Sequence, residues 1–385
     1  MKTWLLAWES GAGLGHLRRL AAIARPLAQT GDRIVVVAPE PEAVHLAFPA
    51  DLAAETVPAP ALPAPRIDQA EGFLPSYGAV LRDLGFENAG YLTAMTRAWD
   101  EVLARVQPSA VIADHAPFAV FAARGRFPTA VLGAGLDLPP AHGSSFPMVI
   151  ADAKPFDETR LRMAFAAAAA ATGRPNPYVA TAALRGDRRF LAGLPVFDPY
   201  LNRRLETHLG PLGPRPAPSP CPSEGAIFAY LRSDHPSFGP LTWALVEAGI
   251  PALVHWQGPP DAGTAALLAT RGITVSHTPV DTVAELAKAS VVISLGGAGL
   301  TAEALFAGRP HMVYPIHMES ELNALGLERL GAGRRFPPFG LREMIDFAAD
   351  SLALRDGAMR AALELHRDFG IDPAGRIAAD IRELA

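Results

Sequence analysis

Cysteine is nearly absent from this chain. Cys221 is the only one among 385 residues, so no intrachain disulfide can form and no cysteine cluster can hold a metal. Long apolar runs are missing too: nothing approaches the ~18 residues needed to span a bilayer, and the alanine run Ala166–Ala171 is short and reads as helix. No large excess of charge of one sign exists. The net charge of −5 gives no global electrostatic reason to bind nucleic acid. The opening residues, M-K-T-W-L-L-A-W-E-S-G, reach acid and glycine after a very short apolar stretch, which reads as a first β-strand and not as a signal peptide. These absences lead us to expect a cytoplasmic enzyme with small-molecule partners. Peripheral membrane contact, and the choice between monomer and homodimer, stay open.

What is present is ample material for burial. Half of the residues are hydrophobic and 19% are charged, and 385 residues exceed one typical core, so two domains are expected. The richness in alanine, proline and arginine is of the kind a GC-rich bacterial genome produces. The proline-dense segment Leu209–Ser223 can continue neither a helix nor a central strand, and it reads as a linker. Before it, strands are expected at Trp4–Trp8, Arg33–Ala38, Ala110–Ala113 and Thr129–Leu132, a helix at His16–Gln29, and a loop at Pro58–Pro65. After it the pattern restarts: strands at Ile227–Leu231, Pro251–His255 and Ile273–Ser276, helices at Leu241–Ala248 and Val283–Ala289, then a strand from Val291. Leu341–Leu384 reads as helical throughout. The expected division is 1–208 for an N-terminal domain, 209–223 for the linker and 224–370 for a second domain, with 371–385 a helix packing back on the first. Strand and helix alternate in both halves, which predicts an α/β protein of two doubly wound, Rossmann-like domains facing a cleft.

Val291–Pro315 is the most informative stretch: a β-branched strand, the turn G-G-A-G, an alanine-rich helix and another strand. Gly296, Gly297 and Gly299 remove side chains where strand becomes helix, so backbone N–H groups and the helix N-terminus can meet a phosphate. Glu303 follows one helical turn later, near where a ribose would lie. Phosphate at the turn and sugar at the carboxylate suggest a nucleotide. A second glycine loop, Gly11–Leu20, follows the first strand, with His16 where a dinucleotide fingerprint would need glycine. His16 at its mouth is a candidate base or an ordinary helix-packing residue. Asp114, directly after A-V-I-A, is either its partner or an N-cap for a helix near Pro117. Glu9 is a lesser candidate base, Arg18-Arg19 reads as a solvated helix face, and His255-Trp256-Gln257 either lines a pocket or packs a core.

With these motifs the chain resembles the UDP-sugar-dependent inverting glycosyltransferases of GT-B fold, which act on antibiotics and other secondary metabolites and are related to the peptidoglycan N-acetylglucosaminyltransferase. Their pattern H-G-G-A-G-T-T-x-E-A-L-x-x-G-x-P is met by L-G-G-A-G-L-T-A-E-A-L-F-A-G-R-P. Pro315, Glu319-Ser320, Asn323 and Gly331-Ala332-Gly333 follow at the family's spacing, and Gly15-His16 matches its first loop. The resemblance is specific from Ser276 to Gly333 and one of pattern in the first half. It implies a hexosyltransferase that moves sugar from a UDP- or dTDP-sugar co-substrate to an acceptor hydroxyl, with inversion, without cofactor or metal. His16 would be the base and Asp114 its partner. His277 would stack on the nucleobase beside Val280. Ser294, Gly296, Gly297, Ala298, Gly299, Leu300 and Thr301 would hold the diphosphate, Glu303 the ribose, and Glu319 with Ser320 the sugar. Departures are Leu295 for the family's histidine, Leu300 for a hydroxyl residue, His277 for tryptophan and Glu319-Ser320 for D-Q. No D-x-D follows a strand. Alternatives are a nucleotide-sugar hydrolase or epimerase of the same fold, which G-x-G-H-x-x-R at Gly13–Arg19 also resembles, and a non-catalytic nucleotide-sugar-binding protein. The acceptor is unspecified, although Phe73–Tyr77 and Ser145–Met148 hint at an apolar one.

Overall fold

A computed structural model describes residues 1–11, 14–28, 31–65, 74–150, 153–222, 225–336, 341–342, 345 and 352–385. Ala12 and Gly13 of the first loop, Gln29, Phe73, Ser223 and most of 337–351 lie outside these. The described chain divides into unit 1, Met1–Leu212 with Asp372–Ala385, and unit 2, Gly213–Ile371.

Unit 1 is built on six parallel strands: β1 (Thr3–Ala7), β2 (Arg33–Ala38), β3 (Ala54–Pro58), β4 (Ala110–Asp114), β5 (Thr129–Gly133) and β6 (Arg188–Leu191). Their spatial order is β3-β2-β1-β4-β5-β6. Alternation along β1 sends Leu5 and Ala7 to one face, and Trp4 and Leu6 to the other. The helices of this unit are α1 (Gly15–Ala28), α2 (Val44–Ala47), α3 (Tyr77–Asp83), α4 (Ala89–Val106), α5 (Pro117–Ala123), α6 (Thr159–Thr172) and α7 (Ala180–Ala183). Leu17, Leu20, Ala24 and Leu27 make the buried stripe of α1 at i, i+3, i+7 and i+10. The C-terminal helix Ala374–Leu384 joins the same layer, burying Ile377 and Ile381 against it.

Unit 2 repeats the plan with β7 (Ala226–Arg232), β8 (Ala252–Gln257), β9 (Thr274–Ser276), β10 (Ala289–Ser294), β11 (His311–Val313) and β12 (Gly333–Arg335), in the order β12-β11-β10-β7-β8-β9. Its helices include α8 (Phe238–Ala248), α9 (Ala262–Ala269), α10 (Thr282–Lys288), α11 (Ala298–Phe306), α12 (Met318–Leu330) and Leu352–Phe369. Counted from the first strand of each unit, both sheets run 3-2-1-4-5-6. Each therefore has a switch point, at β1/β4 and at β7/β10, where helices depart to opposite faces and ligands find a crevice at the strands' carboxyl ends.

The two expected α/β halves are present, with local differences. β3, β6 and β12 escape the sequence pattern because they are short or polar at sheet edges; Pro58 is tolerated because β3 is an edge strand. α8 starts at Phe238, before Leu241, since Pro240 falls in the first turn where its missing N–H costs nothing. The C-terminal region is not helical throughout: Gly370 to Pro373 interrupt it before Ala374–Leu384. Residues 209–222 carry neither helix nor strand. The linker's end is held by Arg309, whose buried guanidinium donates to the carbonyls of Leu286, Ala307 and Ser219 and to Ser219 Oγ. No helix of the described residues is long and apolar enough to cross a membrane.

Candidate active site

The first loop brings α1 off β1 beside the end of β4, since Ala7 pairs with Ala113. Asp114, the last residue of β4, is fully buried, and its Oδ1 lies 2.7 Å from His16 Nδ1. Arg19, one turn along α1 on the same face, completes the group. It donates Nε to Asp114 Oδ2 and Nη2 to Asp114 Oδ1, both at 2.7 Å, and Nη2 also reaches Asp137 Oδ2 at 2.6 Å. Arg19 is thus no solvated surface residue, contrary to the expectation for Arg18-Arg19; it bridges two carboxylates.

Hydrogen counting then fixes the imidazole. Arg19 Nη2 also stands 2.9 Å from His16 Nδ1, but its two hydrogens are taken by Asp114 and Asp137. Nδ1–H of His16 therefore donates to Asp114, so in the neutral imidazole the lone pair is on Nε2. Nε2 faces Gly11, whose φ is +99° and where an added Cβ would stand 2.6 Å from it. Burial would raise the Asp114 carboxyl, yet the Arg19 guanidinium and His16 overcome it and hold the group well below the usual carboxylate range. Asp114 is not the N-cap of α5. Glu9 does that work, its carboxylate accepting from Phe118 N at 2.8 Å and Ala119 N at 2.9 Å. Glu9 is thereby a structural cap, not a base. His16, Asp114 and Asp137 each offer a ligand atom within 4.8 Å of the others, but a guanidinium already fills the point between them.

His115 is the residue the sequence pattern missed. It has φ +47°, a left-handed conformation uncommon for a non-glycine residue. Its ring stacks on His16 at 5.5 Å and tilts against Tyr77 at 6.2 Å. It lines a small pocket whose walls also include Tyr77, Val120, Leu138, Phe146 and Arg189.

In unit 2 the glycine turn follows β10 at the second switch point. Gly296 has φ +82°, and a Cβ there would lie 2.6 Å from Val313 Cγ1 and 2.9 Å from Ser320 Cβ. Asn323 Nδ2 donates to Gly296 O at 2.8 Å and fixes the bend. Gly297 is the N-cap of α11 without a side-chain cap, and at Gly297 and Gly299 a Cβ would meet nothing within 4 Å. The first amides of α11, Ala298, Gly299 and Leu300, thus head an uncapped helix beside open space.

The hydroxyls expected at this turn are spent elsewhere. Ser294 Oγ accepts from Gly296 N and pairs with buried His311 Nε2 at 2.8 Å. Thr301 Oγ1 donates to Gly297 O. Ser320 Oγ accepts from the amides of Ile316 and His317 and, with His317, forms the capping box of α12. These three shape the turn from behind it. Leu300 and Val280 pack on an apolar cluster, so Leu300 offers only its amide. Glu303 is 5% exposed and accepts from Thr282 Oγ1. Glu319 is half-buried in the first turn of α12. His277 is exposed, backed by buried Trp256 with ring centroids 5.0 Å apart. Trp256 is core, and His255 beside it is buried.

No protein-family model matches the chain, and no curated protein does. Solved structures match over nearly its full length. CalG4, the calicheamicin glycosyltransferase, aligns with 100% of this chain and 98% of its own at TM-score 0.70 and 19% identity. The glycosyltransferase SnogD from Streptomyces nogalater covers 100% and 99% at TM-score 0.64 and 18% identity. The glycosyltransferase VinC, solved in complex with dTDP, covers 99% of both chains at TM-score 0.67 and 15% identity. The chain has the GT-B fold of these antibiotic glycosyltransferases.

Proposed function

We propose that this chain is a glycosyltransferase that moves a hexose-type sugar from a UDP- or dTDP-linked donor to an acceptor hydroxyl, with inversion and without metal. The observation that carries the reading is the His16 tautomer: Nδ1–H is committed to Asp114, so Nε2 is a preset proton acceptor. Nε2 takes the hydroxyl proton as the acceptor oxygen bonds to the anomeric carbon. The bond from that carbon to the diphosphate oxygen breaks, and the leaving charge goes to the amides of Ala298, Gly299 and Leu300 at the head of α11. Asp114 stabilises the imidazolium that forms, and Arg19 keeps Asp114 ionised. Base stacking falls to His277 and ribose binding to Glu303 on the α10 side, with the sugar hydroxyls at Glu319. Arg19 at the metal-like cluster supports metal-independent chemistry, because the guanidinium supplies the positive charge there.

The engagement of Arg19 favours one second reading, a nucleotide-sugar hydrolase, since Arg19 closes the G-x-G-H-x-x-R pattern. Incubation with UDP-glucose or dTDP-glucose and no acceptor separates the two. Transfer predicts slow sugar release that a suitable alcohol accelerates; rapid release with no response to alcohols overturns it in favour of hydrolysis. Binding of the nucleotide without turnover, by wild type and His16→Ala alike, leaves a binding protein.

A further inference from the structure

Arg19 poses a difficulty for a base at position 16. Its Nη2 stands 2.9 Å from His16 Nδ1, so an imidazolium formed there meets a positive charge at contact distance. A like charge so close disfavours the protonated ring. Asp114 opposes this from 2.7 Å, but both of its oxygens are already engaged by the guanidinium. Together Asp114 and Arg19 carry no net charge.

Asp137 alters that balance. It lies in the loop after β5, whose Leu132 pairs with Asp114 of β4. Its Oδ2 accepts from Arg19 Nη2 at 2.6 Å, and its Oδ1 accepts from Ala134 N at 2.7 Å and Gly135 N at 3.1 Å. Both oxygens accept, the pattern of an ionised carboxylate. The loop is held without help from Arg19: Arg204, paired with buried Asp198, donates to Gly135 O at 2.8 Å and to Leu138 O. Gly133 leaves room for the carboxylate, since an added Cβ there would lie 2.8 Å from Asp137 Oδ1.

With His16 neutral, the cluster holds two carboxylates and one guanidinium, one positive charge short. The Asp137 side chain is 9% exposed and Asp114 is fully buried, and negative charge so far from water is unfavourable unless balanced. The balancing charge is the one that His16 gains with its proton. His115, stacked on His16, adds none: burial and then the nearby His16 charge lower it to about 4, so it is neutral at pH 7. Trp8, which also stacks on His16, is uncharged.

We infer that Asp137 is a positioning residue for the base: its carboxylate offsets the Arg19 charge at His16, so the cluster is balanced only when the imidazole is protonated. Arg19 can then fix Asp114 without weakening His16 as a proton acceptor. The inference rests on the transferase reading for the source of the proton; the charge balance does not need it.

The test follows the His16 imidazole by NMR titration of the full chain with nitrogen-labelled histidine and no substrate, His16→Asn identifying its signals. Asp137→Asn should move the midpoint down by about one pH unit. Asp137→Ser removes the same charge with a different shape, carries the same expectation, and stands in if the asparagine variant does not fold. Arg19→Gln with Asp137→Asn removes one charge of each sign, so its midpoint should return to the wild-type value. A merely structural role for Asp137 produces no such return. A midpoint unmoved or raised in the single variants, or a double variant that stays with them, overturns the inference. Turnover of UDP-glucose or dTDP-glucose with an unmoved midpoint sinks it and spares the transferase reading; the expected shifts in a protein without turnover do the reverse.

Discussion

His16 Nδ1 stands 2.7 Å from Asp114 Oδ1 across 98 residues of sequence. The two meet because β1 and β4 are neighbours at the point where the sheet's winding reverses, so the loop leaving one strand ends beside the tip of the other. Neither residue is placed by its own loop alone.

Removing the base tests the chemistry directly. His16→Ala should lower kcat by about 10²–10⁴-fold, with donor KM little changed. Asp114→Asn should fall in the same direction, since a neutral amide stabilises the imidazolium less. Steady-state kinetics with UDP- and dTDP-glucose measure both, and undiminished turnover in His16→Ala would falsify the base assignment.

Arg19 answers to stability as well as to activity. Arg19→Leu leaves the fully buried Asp114 and the nearly buried Asp137 without their cation. Breaking a buried pair in this way costs about 3–5 kcal/mol. Arg19→Lys should recover only part, because an ammonium cannot make the two parallel bonds to Asp114. Urea unfolding of the three proteins gives the ranking; a wild-type midpoint for Arg19→Leu contradicts the bridge.

The glycines of the second turn are separable by substitution. Gly296→Ala forces a Cβ into Val313 and Ser320 at positive φ, and should cost stability by about 1–3 kcal/mol. Gly299→Ala meets no protein atom and sits in the first turn of α11, so the fold should tolerate it while dTDP binding weakens. Thermal melts with and without dTDP distinguish the two. A Gly299→Ala protein with full dTDP affinity would remove the diphosphate from this turn.

Buried His311 gives the protein an acid-side dependence. Desolvation lowers it from 6.5 to about 3, so between those pH values the unfolded chain binds the proton and the folded chain does not. Stability from this group is full above pH 6.5 and is lost as pH falls toward 3, by about 1.4 kcal/mol per pH unit. His115 acts in the same sense between 6.5 and about 4. Glu9, raised to about 8 chiefly by burial, has the opposite sign, favouring the fold as pH falls from 8 to 4.5. His311→Gln isolates the first contribution: its melting temperature should fall less than that of wild type between pH 6.5 and 4. Parallel curves would refute it.

The alternation of apolar runs and alanine-rich helices made both sheets legible, as burial on two faces leaves little choice of residue in a central parallel strand. β1, β4 and β10 were visible for that reason, whereas β3, β6 and β12 carry too few apolar residues to show. The open glycines of the second turn were readable because a side chain was missing. The hydroxyls behind them were not: sequence gives Ser294, Thr301 and Ser320 a donor atom but not the direction in which it points. Arg19 was misread because one charge on a helix looks solvated until the partners, Asp114 and Asp137, arrive from other strands' ends. Its i+3 spacing from His16 was the available signal. His115 gave none, as left-handed backbone at a histidine is a property of the folded loop.

The helix Ala374–Leu384 makes unit 1 discontinuous, and that sets the order of its birth. Ile377 and Ile381 leave the ribosome only after unit 2, so the layer holding Leu17 and Leu20 stays unsealed while all of unit 2 is being synthesised. A fragment ending at Leu212 would carry that greasy seam into solution, and a nick near Gly370 would be felt at the opposite end of the polypeptide.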